Sequence, residues 1–270
     1  MLRTVAEVRA ARAGMSSVGL VPTMGAFHDG HLELMLRCKA SCSFAIVSLF
    51  VNPAQFAEGE DFSAYPRDEE RDLSLASSVG VDFVWAPSVD EVYAPGVPSL
   101  VAGPEAARWE GEHRPRHFDG VATVVARLFD VVRPDVAYFG LKDLQQCAVI
   151  RAMVASLGMP VRLKFVETVR EPSGLAMSSR NAYFTDEQKT EAALLFRALS
   201  DCALAVRNGR PVEASLAAAR RELESGGFAL DYVACVDPVT MEPATSLREG
   251  LRVVVAARFC GVRLIDNVPV

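Results

Sequence analysis

Only four histidines occur in the chain, and they fall in two short segments: His28 with His31, and His113 with His117. The first pair lies in Val18-Gly19-Leu20-Val21-Pro22-Thr23-Met24-Gly25-Ala26-Phe27-His28-Asp29-Gly30-His31-Leu32-Glu33-Leu34. There an apolar run enters a glycine-bearing turn, and a helical pattern begins near His31. Gly25 and Gly30 permit positive φ or close backbone approach. The orphan N–H groups of a helix start, with the positive end of its dipole, make an anion site. Imidazoles at 28 and 31 can face one anion there as donors, and a bound polyphosphate would favour their imidazolium forms. A plain surface turn with two solvated histidines is the bland alternative. A zinc site is another, but it lacks a third ligand at typical spacing and has no HExxH.

A parallel sheet must hold such a turn in place. Short β-rich apolar runs at 18–21, 44–51, 81–86, 136–139 and 161–166 alternate with helical spacing over 31–42, 67–79, 120–132 and 144–157. Nearly continuous apolar runs suit strands buried on both faces, and strands alternating with helices suit βαβ units. The expectation is a Rossmann-like α/β domain over residues 1–169. Beyond the turn cluster Arg170-Glu171-Pro172-Ser173-Gly174 the texture changes. A capping box, Thr185 with Gln188, starts a helix expected to run to Asn208-Gly209, and a second covers 212–225. Strand candidates follow at 231–236, 252–257 and 263–266, so residues 170–270 are expected to form a smaller α+β domain.

Composition narrows the function class. With 270 residues, 50% of them apolar, the chain can bury a stable core without staples. The 28 Lys and Arg against 34 Asp and Glu, net charge −6, argue against a sequence-wide nucleic-acid surface but leave room for a small cationic pocket. No apolar run approaches the roughly 20 residues that span a bilayer, and the N-terminal segment carries charges where a signal peptide needs an apolar core. The six cysteines include no CxxC pair and form no disulfide framework, so they read as packing thiols. The expectation is a soluble, cytoplasmic protein without nucleic-acid or membrane partners. No P-loop is present, and no GxGxxG follows a strand.

The H-x-G-H pattern of His28-Asp29-Gly30-His31 resembles the HIGH motif of the nucleotidyltransferases that activate carboxylates or phosphates with ATP. Further segments narrow the likeness. Pro22-Thr23-Met24-Gly25, Phe50-Val51-Asn52-Pro53-Ala54-Gln55-Phe56, Tyr65-Pro66-Arg67, Arg114-Pro115-Arg116-His117-Phe118, Phe139-Gly140-Leu141-Lys142-Asp143-Leu144-Gln145-Gln146 and Met177-Ser178-Ser179-Arg180-Asn181 resemble, in order, the pantothenate synthetase family. A weaker likeness returns in Ala256-Ala257-Arg258 and Arg263-Leu264-Ile265-Asp266-Asn267. That family condenses pantoate with β-alanine: the pantoate carboxylate attacks the α-phosphorus of ATP, pyrophosphate leaves, and the β-alanine amine then expels AMP from the pantoyl adenylate.

The resemblance implies that Met24, Gly25, Ala26, Phe27, His28, Asp29, Gly30 and His31 wrap the ATP. His31 would donate a proton to, or neutralise, the departing pyrophosphate, with His28 beside it. Gly140, Leu141, Lys142 and Asp143 would follow, Lys142 lying against phosphate oxygens as a point charge. Val169 would offer backbone groups to adenine, and Met177, Ser178, Ser179 and the catalytic Arg180 would belong to a mobile loop over the phosphates. Gln55 and Gln146 would bind pantoate, Gln55 also meeting β-alanine, with Asn52, Phe56 and Tyr65 as walls. Asp72 and Asp143 are candidates for steering a Mg²⁺ that ATP carries on its own oxygens, and no direct protein ligand to metal is expected. Family likeness further implies a homodimer. Two positions depart from the family pattern: Leu141 where glutamate is usual, and Arg116 where glycine is usual. The alternative is another HIGH-motif nucleotidyltransferase acting on a phosphorylated acceptor.

Overall fold

A computed structural model of the chain describes every residue except Glu58. The chain runs α1 (Val5–Arg12), β1 (Val18–Thr23), α2 (Asp29–Ser41), β2 (Phe44–Leu49), α3 (Glu69–Ser78), β3 (Phe83–Trp85), α4 (Val89–Val92), α5 (Glu110–His113) and α6 (His117–Val132). It continues with β4 (Val136–Gly140), α7 (Leu144–Ser156), β5 (Arg162–Val166), α8 (Asp186–Ala192), α9 (Leu194–Arg207), α10 (Val212–Ser225), β6 (Ala229–Val236), β7 (Arg252–Phe259) and β8 (Val262–Pro269). These elements form two compact units. One comprises Met1–Gly103, Arg114–Gly140 and Val149–Val166; the other comprises Pro104–His113, Leu141–Ala148 and Glu167–Val270.

The first unit holds the expected Rossmann-like sheet, five strands in the order β3-β2-β1-β4-β5, all parallel. The order reverses between β1 and β4, and open α/β sheets bind ligands beyond the carboxyl ends of strands at such a switch point. Ala45, Ile46, Val47 and Ser48 of β2 are fully buried, as a strand covered on both faces must be. Gly19 is required by packing: a Cβ there would lie 2.2 Å from Cys38 Sγ, so α2 could not settle on β1. Pro22 sits in a central strand, where a missing N–H would normally break a ladder. The β1–β4 pairing spans only Gly19 and Leu20, so the proline falls beyond it.

In the second unit, β6-β7-β8 form an antiparallel sheet. Leu195, Leu199 and Leu223 of α9 and α10 share one buried cluster with Val253, Val255 and Leu264 of the sheet. The β7–β8 hairpin turns through Cys260 and Gly261, both at positive φ, as a two-residue primed turn demands. The Thr185–Gln188 capping box forms as its spacing predicts. The single helix expected after it does not: the chain breaks at Ala193, whose N–H reaches Lys189 O and Glu191 O, and α9 starts afresh. No glycine or proline marks this break.

Candidate active site

The first unit builds its site on the turn between β1 and α2. The helix begins at Asp29, two residues before His31, because His28 is its N-cap. His28 Nδ1 accepts from Gly30 N–H at 3.2 Å, and His31 Nδ1 accepts from the His28 N–H at 3.4 Å. This is a capping box made of imidazoles in place of hydroxyl and carboxylate. A ring nitrogen that accepts a backbone N–H carries no proton, so in each neutral ring the proton sits on Nε2, a donor. The ring centroids lie 4.1 Å apart. Two donors therefore stand beside the positive end of α2, an arrangement suited to phosphate oxygens.

Asp72 of α3 supports this turn from beneath. Its carboxylate accepts from Ala26 N–H at 2.8 Å and from Phe27 N–H at 2.7 Å, while Arg71 donates to Phe27 O at 3.0 Å. Burial pushes the Asp72 carboxyl above its ordinary value, and the two N–H bonds oppose that shift. Gly25, at φ +90°, has no room for a side chain: a Cβ would lie 2.8 Å from Leu49 and 2.9 Å from Asp72. The Phe27 side chain is buried in the core behind the turn. A cleft of about 340 Å³ opens beside Gly25 and Asp72, lined also by Met24, Leu49, Phe50 and Arg67. Neither His28 nor His31 lines it.

Gln55 is buried and held from several sides. Its Nε2 donates to Met24 Sδ at 3.0 Å, and its Oε1 accepts from Asn52 Nδ2 at 3.1 Å. Asn52 is bonded throughout: Nδ2 also reaches Gly120 O, and Oδ1 accepts from Ala54 N–H and the Tyr93 hydroxyl. It shapes the turn that carries Gln55. Gly120 lets α6 approach that turn, since a Cβ would lie 2.3 Å from Ala54 O. His117 Nδ1 bonds Gln55 O at 2.7 Å and must donate, so its Nε2 accepts from Arg114 at 3.2 Å. Arg114 in turn clamps Glu60 with two bonds of 2.6 and 2.7 Å. Phe56 meets Phe62 and Tyr65 edge-on.

The second unit carries the other expected groups. Leu141–Asp143 form a single 3₁₀ turn, with Lys142 Nζ 3.6 Å from Asp143. Leu141 packs against the apolar cluster of Leu144, Ala148, Met241 and Val254, which accounts for a leucine at this position. The adjacent glutamines have different surroundings. Gln145 is buried, accepting from Glu110 N–H and donating to Glu105 O and Arg108 O, so it anchors the 104–113 segment. Gln146 is half-buried on the first turn of α7. Val169 and Met177 face each other in a short hairpin closed by Met177 N–H to Val169 O, 3.0 Å. Ser178 caps the 3₁₀ turn that contains Ser179 and Arg180. No set of three or more His, Cys, Asp or Glu among the described residues could hold a metal. Both oxygens of Asp72 serve backbone N–H groups, and Asp143 stands next to a lysine.

Within the first unit Gln55 thus meets the 24–31 turn through Met24; within the second the Lys142 turn and the Arg170 end of the hairpin are both held by β8, through Asn267 and Asp266. A family model described as pantoate-beta-alanine ligase matches residues 1–269. The chain belongs to the pantoate–β-alanine ligase family. It is 49% identical to the pantothenate synthetase of Thermus thermophilus over 99% of this chain and 98% of that protein. The pantothenate synthetase of Chloroflexus aurantiacus is 46% identical over 99% and 96%. A crystal structure of the Thermus thermophilus enzyme superposes with a TM-score of 0.94 at 48% identity, covering 99% of this chain and 98% of that one. The Francisella tularensis ligase, described as complexed with beta-gamma ATP and beta-alanine, superposes with a TM-score of 0.82 at 30% identity, covering 100% and 97%. These relatives do not favour a nucleotidyltransferase for phosphorylated acceptors. Among the described residues, no helix is long and apolar enough to cross a membrane.

Asp72, Arg114 and His117 in the first unit, and Gln145 in the second, hold the candidate segments of their own unit in place, roles that the sequence alone did not single out. Arg114, His117 and Gln145 stand inside the segments that carry the family likeness, but the partners of all four lie far along the chain and leave no local signal.

Proposed function

We propose that this chain condenses pantoate with β-alanine at the expense of ATP, through a pantoyl-adenylate intermediate. A pantoate carboxylate oxygen attacks the α-phosphorus, and the bond to the bridging oxygen breaks as pyrophosphate departs with the electron pair. The β-alanine amine then attacks the acyl carbon and loses a proton, and AMP leaves carrying the former carboxylate oxygen. The observation that carries this reading is the His28–His31 pair capping α2, in a chain matched to the ligase family over residues 1–269.

In this reading the Met24-to-His31 turn holds the triphosphate, with the Nε2–H groups of His28 and His31 donating to its oxygens and stabilising the pyrophosphate as it leaves. Lys142 neutralises phosphate charge, flanked by Gly140, Leu141 and Asp143. Ser178, Ser179 and Arg180 bind phosphate oxygens as a mobile segment, and Val169 and Met177 border the adenine. Gln55 and Gln146 donate to and accept from pantoate, whose hydroxyls need both roles. Magnesium supplies further charge neutralisation on the phosphates and travels with ATP. Residues 1–169 serve as the nucleotide- and pantoate-binding part and 170–270 as the lid. The enzyme acts as a cytoplasmic homodimer on small molecules, without nucleic-acid or membrane partners.

Incubation with ATP, pantoate and β-alanine is expected to yield pantothenate, AMP and pyrophosphate in equal amounts. ADP and phosphate in their place would overturn the adenylate route.

A further inference from the structure

The second half of β8 carries two consecutive buried polar residues, Asp266 at 3% exposure and Asn267 at 1%. Buried polar groups are costly unless bonded, so their partners are informative. Successive side chains of a strand point to opposite faces, and these two reach different segments. Asp266 takes Arg170 in a paired contact of 2.6 and 2.9 Å, which fixes the root of the 169–177 hairpin. Asn267 Nδ2 donates to Leu141 O at 2.8 Å and to Lys142 O at 3.1 Å, the two carbonyls that bracket the Lys142 backbone. The Asn267 Oδ1 accepts from Arg252 Nε at 2.6 Å, and Arg252 is itself held by Glu167. One stretch of β8 therefore holds both the lysine turn and the hairpin leading to Ser178, Ser179 and Arg180.

We propose that Asn267 is a positioning residue for Lys142, its amide setting the pitch of the Leu141–Asp143 turn and hence the reach of the ammonium. The proposal rests on the reading of Lys142 as a phosphate-neutralising group. Asparagine suits the task because one planar amide donates twice toward the turn while accepting from Arg252. Aspartate keeps the shape and the Arg252 contact but has no N–H to give, and alanine removes both.

A double-mutant cycle on pantoate-dependent ATP–pyrophosphate exchange tests it, using the full chain with ATP and magnesium. Lys142→Ala is expected to slow exchange about 10²–10³-fold. Asn267→Ala and Asn267→Asp are expected to lower kcat roughly 10- to 10²-fold, with KM for pantoate unchanged. In the Lys142→Ala background, either Asn267 change is expected to add less than about twofold, because residues acting through one another are not additive. Losses from Asn267→Ala and Asn267→Asp that carry undiminished into the Lys142→Ala background would overturn the positioning role, as would wild-type exchange in both. Wild-type exchange by Lys142→Ala would instead overturn the reading of the lysine itself. Should Asn267→Ala fail to fold, Asn267→Asp, which retains the Arg252 contact, carries the cycle alone.

Discussion

His28 and His31 close the same helix with their Nδ1 atoms: one accepts from Gly30 N–H, the other from the N–H of its partner, and their rings lie 4.1 Å apart. Each ring therefore has a structural edge and a donor edge, which mutation can separate. Asparagine at position 28 can replace the cap but not the Nε2 donor. His28→Asn is expected to change stability by no more than a few tenths of a kcal/mol, and His28→Ala to cost about 1 kcal/mol. Both should slow pantoate-dependent exchange roughly 10²-fold. Near-wild-type exchange by His28→Asn, measured beside its denaturant midpoint, would reduce His28 to a helix cap.

Arg116 adopts φ +65°, ψ 0°, the left-handed region, immediately before α6. Glycine, the residue that the family resemblance implied for this position, takes up that conformation without strain. A side chain in that region costs roughly 1–2 kcal/mol, partly offset because glycine loses more backbone entropy, by roughly 0.5–1 kcal/mol. Arg116→Gly is accordingly expected to stabilise by up to about 1 kcal/mol. Urea unfolding should show a higher midpoint at unchanged slope; a lower midpoint would contradict the strain.

The strands were legible because short, mostly apolar runs such as Phe44–Leu49 alternate with helical spacing along the chain. The Thr185 capping box and the helix over Val212–Ser225 were legible from local chemistry, and so was the His28–His31 pair. Other features depend on partners far along the chain. Nothing near position 72 indicates that its carboxylate will hold the N–H groups of Ala26 and Phe27. Nor does the local sequence tie the 104–113 segment to the second unit, where Arg263 grips Glu110 at 2.6 and 2.7 Å across 153 residues. The break at Ala193 was invisible because it uses an ordinary helix former.

Glu60 links the Gln55 segment to pH. Burial pushes its carboxyl up, but the bonds and charge of Arg114, with the N–H of Ala57, more than offset this and hold it below the ordinary value of 4.5. A depressed carboxyl contributes stability that is fully present above the unfolded value and is lost as pH falls through the folded one. Wild-type protein should therefore be more stable than Glu60→Gln above pH 4.5, and the two should converge under more acid conditions. Parallel acid-unfolding curves would show that this ion pair contributes nothing.

Five of the six cysteines are buried, and Cys260, at the β7–β8 turn, is exposed. Burial pushes the Cys38 thiol up to about 12, which disfavours the nucleophilic thiolate. Native protein should take up one equivalent of iodoacetamide, abolished by Cys260→Ser, with the remainder reacting only after unfolding. Rapid native labelling of Cys38 or Cys42 would contradict the packing of α2 on Gly19.

The path of one oxygen atom tests the proposed chemistry most directly. Pantoate labelled with ¹⁸O in its carboxylate, turned over with ATP and β-alanine, should deliver label to the phosphate of AMP and none to pyrophosphate. Label in inorganic phosphate alongside ADP, or unlabelled AMP, would mean that no pantoyl adenylate forms.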